Sequence, residues 1–224
     1  MKNYFTKKEK CLWNGSVALI FVSFLCFDRE NGVTLAASVI GVTSLVFNAK
    51  GNPVGQVLMV IFSCLYGFIS WQWDYYGEMI TYLGMTAPMA VVALVSWLRH
   101  PYEGNRAQVQ VNRLNGKEVL FLVVLTALIT WGFYYILAFF HTANLLFSTI
   151  SVTTSFLAVY LTFRRSPWYA VGYAANDVVL MVLWALAAKE DGSFWSVVVC
   201  FGMFLINDLY GFISWRRMAR QQGV

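Results

Sequence analysis

Two acid-amide pairs, Asn176-Asp177 and Asn207-Asp208, stand in the middle of long apolar runs. A carboxylate at membrane depth is costly and faces a cavity or a partner. A neighbouring amide adds both a donor and an acceptor. Asn176 is eight residues after Trp168 and Asn207 eight before Trp215. At roughly 1.5 Å per residue each asparagine lies about 12 Å into the bilayer. The pairs are therefore expected level, near the midplane, on adjacent antiparallel helices. That layout suits recognition of a polar solute. The same amides could instead bond a neighbouring helix. Asp177 and Asp208 point about 100° around the helix from their asparagines, toward a cavity or toward a buried donor, and the spacing leaves both open.

Aromatic residues join this face. Trp168, Gly172 and Asn176 recur at i, i+4 and i+8, followed by Leu180 and Trp184. The glycine is expected to leave a notch where a flat ring could stack on Trp168 while an amide reads its polar edge. Tyr66, Trp71 and Gln72 on another run, and Tyr210 beside the second pair, are further candidates for contact with a solute. In a chain that is 17% aromatic, most such rings pack or face lipid.

The elements that hold these residues follow from composition. The chain is 224 residues long, 59% hydrophobic and 12% charged, with a mean hydropathy of +0.60. Soluble domains carry about 25% charged residues, so an integral membrane protein is implied. Eight spans of membrane-crossing length are predicted over Leu12–Phe27, Val33–Phe47, Val54–Trp73, Met79–Leu98, Val119–Phe140, Leu145–Phe163, Trp168–Ala188 and Phe194–Trp215. The first is expected to stay as a helix, since no small-residue cleavage site follows it. Pro53 and Pro167 open the third and seventh spans, where a missing N–H does no harm. With eight alternating spans, 14 of the 16 lysines and arginines fall on one side, together with both termini. The positive-inside rule makes that side cytoplasmic. Basic residues divided among several loops do not form a nucleic-acid surface. Cys11, Cys26, Cys64 and Cys200, with His100 and His141, have no metal or disulfide spacing.

Spans two to four resemble spans six to eight. Val42-Thr43-Ser44 answers Thr153-Thr154-Ser155, and each run leads through a basic turn to a proline. Each triplet also closes on Ser-Trp before arginine, at Ser96-Trp97 and Ser214-Trp215. Three helices, one inverting helix and three helices give parallel repeats about an axis along the membrane normal. The expected organisation is an extra amino-terminal helix in 1–30, a first triplet in 31–98, a loop and linker helix in 99–142, and a second triplet with a basic tail in 143–224. Trp97 and Trp215, each beside arginine, are expected to be interfacial anchors.

No nucleotide-binding loop with lysine and serine or threonine is present, nor a Gly-x-Ser-x-Gly elbow or His-Glu-x-x-His motif. The seventh span (Trp168-x7-Asn176), the eighth (Asn207 and Tyr210-Gly211-x3-Trp215-Arg216), and Trp71-Gln72 through Tyr76 resemble PnuC, the family of bacterial nicotinamide riboside transporters, over about Val39 to Arg217. The fourth span departs from the family pattern at Val91–Trp97. The resemblance implies a seven-helix 3+1+3 core similar to that of the SWEET sugar transporters, in the bacterial inner membrane. It implies a homo-oligomer, with a trimer as the size it suggests. It further implies facilitated diffusion of nicotinamide riboside without a cofactor, ATP or an ion gradient, uptake being driven by phosphorylation in the cytoplasm. The residues alone leave two rivals: a sugar or other small-solute transporter on the same fold, and a membrane-embedded enzyme using Asp177 and Asp208 as acid and base.

Overall fold

In the computed structural model, residues 4–73, 75–142 and 144–224 are described. Lys2 and Asp74, two charges of the sidedness pattern, lie outside them. Among the described residues eight helices are long and apolar enough to cross a membrane. They are α1 (Lys7–Phe27), α2 (Gly32–Ala49), α3 (Val54–Gln72), α4 (Tyr76–Arg99), α5 (Gly116–Phe139), α6 (Leu145–Phe163), α7 (Tyr169–Ala187) and α8 (Trp195–Gln221). The predicted bounds of α6 match. α1 starts earlier than its apolar run, because Thr6 and Glu9 form a capping box that draws the charged first turn into the helix. Asn115 and Glu118 do the same for α5. α4 contains a π-helical turn over Tyr82–Thr86. Pro88 follows after Ala87; a proline lacks the N–H for the carbonyl four residues back and its ring crowds that group, and a wider turn accommodates both.

Each triplet has the same neighbours. α2 packs on α3 and on α8, while α6 packs on α7 and on α4. The turns that join α2 to α3 and α6 to α7 share one backbone course. Gly51 (φ 65°) and Arg165 (φ 57°), 114 residues apart, are both left-handed. Glycine takes this conformation freely; arginine there is strained. At this offset Asn48 answers Thr162, and the indoles follow suit. Trp215 Nε1 donates to the Asn48 carbonyl at 2.7 Å, and Trp97 Nε1 to the Thr162 carbonyl at 2.9 Å. The two rings lie 5.4 Å apart and are almost fully buried, at 1% and 0% exposure. The expectation of interfacial anchors is thus corrected: both tryptophans close the seam between the triplets, where a hidden indole finds an acceptor in a helix-terminal carbonyl.

The α4–α5 loop contains a short antiparallel hairpin, β1 (Pro101–Tyr102) with β2 (Asn105–Val109). It runs across both turns: the Val109 N–H donates to the Gly51 carbonyl at 2.9 Å and the Asn112 N–H to that of Arg165 at 3.0 Å. Gln222, beyond α8, bonds Val109 and Val111. The ion pairs of the described residues, Lys50–Glu9 and Arg164–Glu118, also lie at this basic end. α1 lies against α2 and α8. α5 exposes Leu120, Phe121, Leu128, Trp131 and Phe139, an apolar face suited to lipid. Cys11, Cys26 and Cys64 are on the surface and Cys200 is buried.

Candidate functional site

The polar residues at mid-depth form two separate arrangements. Asn176 of α7 turns to α6: its Oδ1 accepts from Thr154 at 2.9 Å, Ser155 at 3.0 Å and Ser151 at 3.4 Å. Asn207 of α8 turns the other way, to α1, with Nδ2 donating to Ser16 Oγ at 2.9 Å and to the Met203 carbonyl at 2.8 Å. The two asparagines therefore do not converge. The acids do. Asp177 and Asp208 meet within hydrogen-bonding reach, both 3% exposed. A 100° step along each helix carries the carboxylates inward while the amides serve helix contacts. Two carboxylates so close repel when both are charged, and a cation or a shared proton relieves them.

An aromatic wall adjoins Asp177 through Tyr82. Tyr66 of α3 stacks on Phe62 with ring centres 5.6 Å apart and lies 4.4 Å from Tyr82 of α4. Phe201 of α8 meets the Tyr66 ring edge-on at 5.6 Å. The Tyr66 hydroxyl accepts from the Trp184 indole of α7. Tyr82 lies within electrostatic range of Glu78 and Asp177, and Tyr173 and Tyr169 of α7 within range of Asp208. Tyr66, Tyr82, Asn176 and the three acids are each at most 5% exposed, so the cluster is shut off from water. An anionic pair beside aromatic rings can hold a flat cation through its charge and through its ring face.

Sequence reasoning missed Glu78. The fourth span was expected from Met79, which counted Glu78 as an outer acid, yet the helix begins at Tyr76 and Glu78 is 1% exposed. Tyr82, Tyr173 and the α6 hydroxyls were also missed as site groups. The run Ser151-x-Thr153-Thr154-Ser155 carried a signal, since hydroxyls on one helix face require a partner.

The remaining candidates are dispersed. Trp168 is 53% exposed and packs on Phe212 at 5.4 Å. It lines a cavity of about 550 Å³ at the basic end with Asn112, Arg113, Arg216 and Arg220. The expected notch at Gly172 is filled by α6: a Cβ there would sit 2.9 Å from Ala158 Cα. It is a helix-packing contact. Tyr210 donates to Glu9 at 3.1 Å beside a second basic-end cavity. Gln72 lines a cavity at the opposite end with Asp28, Asn31 and Asp191. Burial pushes the Asp28 carboxyl above its usual pKa, Thr34 opposing and Asp191 adding to the rise. Trp71 is 54% exposed against Phe68. Of the nine predicted site residues, then, Asp177 and Asp208 meet, Asn176 lies on the adjoining face, and Tyr66 joins them only through Tyr82.

Residues 31–217 match the family model described as nicotinamide mononucleotide transporter. The chain belongs to this family. It is a multi-pass membrane transporter and not an enzyme. It is 26% identical over 212 residues to the nicotinamide riboside transporter PnuC of Neisseria mucosa, covering 92% of this chain and 79% of that one. The Haemophilus influenzae protein of the same name is 20% identical over 195 residues, covering 86% and 82%. The fold is also that of a crystal structure titled as the vitamin B3 transporter PnuC, with a TM-score of 0.85 at 22% identity over 97% of this chain and 94% of that chain.

Proposed function

We propose that this protein is a facilitative uniporter for nicotinamide riboside, working by alternating access around the cluster of Tyr66, Tyr82, Asp177 and Asp208. The observation that carries the reading is the buried acid pair, with Asp177 in range of Tyr82 in the aromatic wall. The riboside is a pyridinium cation bearing a carboxamide and a ribose. The acids offset its charge, the rings take its flat face, and Asn176 with the α6 hydroxyls serves its polar groups. The α2–α4 and α6–α8 triplets rock against each other about the site, with the basic end and both termini in the cytoplasm of a bacterial inner membrane.

The same cluster favours the riboside over its mononucleotide. A phosphate would enter among carboxylates, where like charges repel. Phosphorylation in the cytoplasm therefore traps the solute and draws uptake. It also favours a cation over a neutral sugar, which gives buried acids no compensating charge.

Calorimetry on detergent-purified protein tests this. Riboside binding is expected, with nicotinamide and the mononucleotide each at least about tenfold weaker and simple sugars failing to compete. Equal binding of riboside and mononucleotide, or displacement of the riboside by sugar, would refute the assignment.

A further inference from the structure

Glu78 is the least expected group in the bundle. It is 1% exposed, and neither carboxyl oxygen has a hydrogen-bond partner among the described residues. The Ser151 hydroxyl is in range of Glu78 but is shared with Asn176. A buried carboxylate with no counter-ion and only a shared hydroxyl beside it is strongly disfavoured. The ion pairs of the described residues, both at the basic end, provide no cation here. Asp177 Oδ2 is likewise unpartnered.

The backbone fixes Glu78 in this position. Its neighbour Gly77 lies so close to the α5–α6 connection that a Cβ would meet Thr142 Cγ2 at 2.5 Å and Leu137 Cδ2 at 3.1 Å. The first turn of α4, which carries Glu78, is thus packed tightly against the end of α5 and the connection that follows it. Tyr82 follows four residues later, on the same helix face, where the π-helical turn begins. Glu78 also lies in electrostatic range of both Tyr66 and Tyr82. A third acid, from the other triplet, thus borders the ring of Tyr82 that Asp177 also approaches, and none of the three acids has an ion-pair partner among the described residues.

We propose that Glu78 is a further charge-reading group of the substrate site, its carboxylate adding to the counter-charge of Asp177 and Asp208 for a cationic aromatic ring held against Tyr66 and Tyr82. This rests on the transport reading above and adds a specificity to it: the carrier selects the oxidised, cationic nucleoside and rejects the uncharged reduced one. The arrangement also explains how both triplets engage one solute, since Glu78 comes from the first and the aspartates from the second.

The test compares binding of nicotinamide riboside with that of its uncharged 1,4-dihydro form, by calorimetry on purified wild-type protein and on Glu78→Gln, with thermal unfolding recorded for both. The wild type is expected to prefer the cation by at least about tenfold. In Glu78→Gln the cation should weaken by about threefold or more while the neutral form stays within about twofold, so the preference narrows. Equal affinity of the wild type for both forms would overturn the proposal without reference to any variant. Equal weakening of both forms in Glu78→Gln would overturn it as well. If the wild type bound neither form, the transport reading itself would fall, and this assignment with it.

Discussion

At the basic end, the turns of the two triplets follow the same hydrogen-bond course. Gly51 and Arg165 share a left-handed backbone, each carbonyl accepts from the α4–α5 loop, and Trp215 and Trp97 cap opposite triplets through matched carbonyls. Halfway along the bundle the counterparts diverge. The 114-residue offset that pairs the turns sets Asn176-Asp177 against Phe62-Ser63, and the 118-residue offset that pairs the tryptophans sets Asn207-Asp208 against Met89-Ala90. The first triplet contributes rings and a single acid, Glu78; the second contributes the aspartates. Similar turns thus flank an unsymmetrical set of buried polar and aromatic groups. A solute with a charge and a flat face needs two unlike walls, whereas rocking needs two like hinges.

The most disruptive test of this contrast removes the indoles. Trp97→Ala and Trp215→Ala should each cost about 3–5 kcal/mol, the usual loss for a fully buried large aromatic, read as thermal unfolding in detergent. Similar losses support equivalent seams, and a large loss at only one would break the equivalence.

The asparagines come next. Asn176→Ala strands three α6 hydroxyls at a cost of about 1–3 kcal/mol and should weaken riboside binding in purified protein while assembly persists. Asn207→Ala acts on the contact with α1 and should leave affinity within about twofold. The opposite ranking would mean that the solute sits beside α1. A smaller, purely structural effect is expected from Gly172→Ala, where the added methyl meets the α6 backbone. Overpacking of this kind costs about 1–3 kcal/mol, and an unchanged unfolding temperature would show that α6 and α7 have room to part.

These particulars also mark how far the sequence could be followed. The eight spans, the depth of the acid-amide pairs and the proline-led turns follow from hydropathy, spacing and charge. The direction of Asn207 does not, because a helix with polar groups at adjacent positions offers two faces 100° apart, and only the neighbouring helices decide which faces inward. Matching Thr43-Ser44 to Thr154-Ser155 implied an offset of 111, one turn out of step with the 114 of the turns. Short hydroxyl motifs recur too readily along apolar helices to fix a register. Glu78 escaped notice because its burial depends on the α5–α6 connection folding over Gly77, a contact between segments some 60 residues apart. Trp168 looked like a stacking residue because its spacing to Asn176 is helical, but the notch between them is taken up by α6.

The central claim is that the solute's positive ring lies between the aspartate pair and the tyrosines. The most direct measurement is a titration of nicotinamide riboside into purified Asp208→Asn, an isosteric change that removes one carboxylate of the pair. Affinity should fall by at least about tenfold with the unfolding temperature preserved. Wild-type affinity in that variant would place the substrate elsewhere in the bundle and contradict the account.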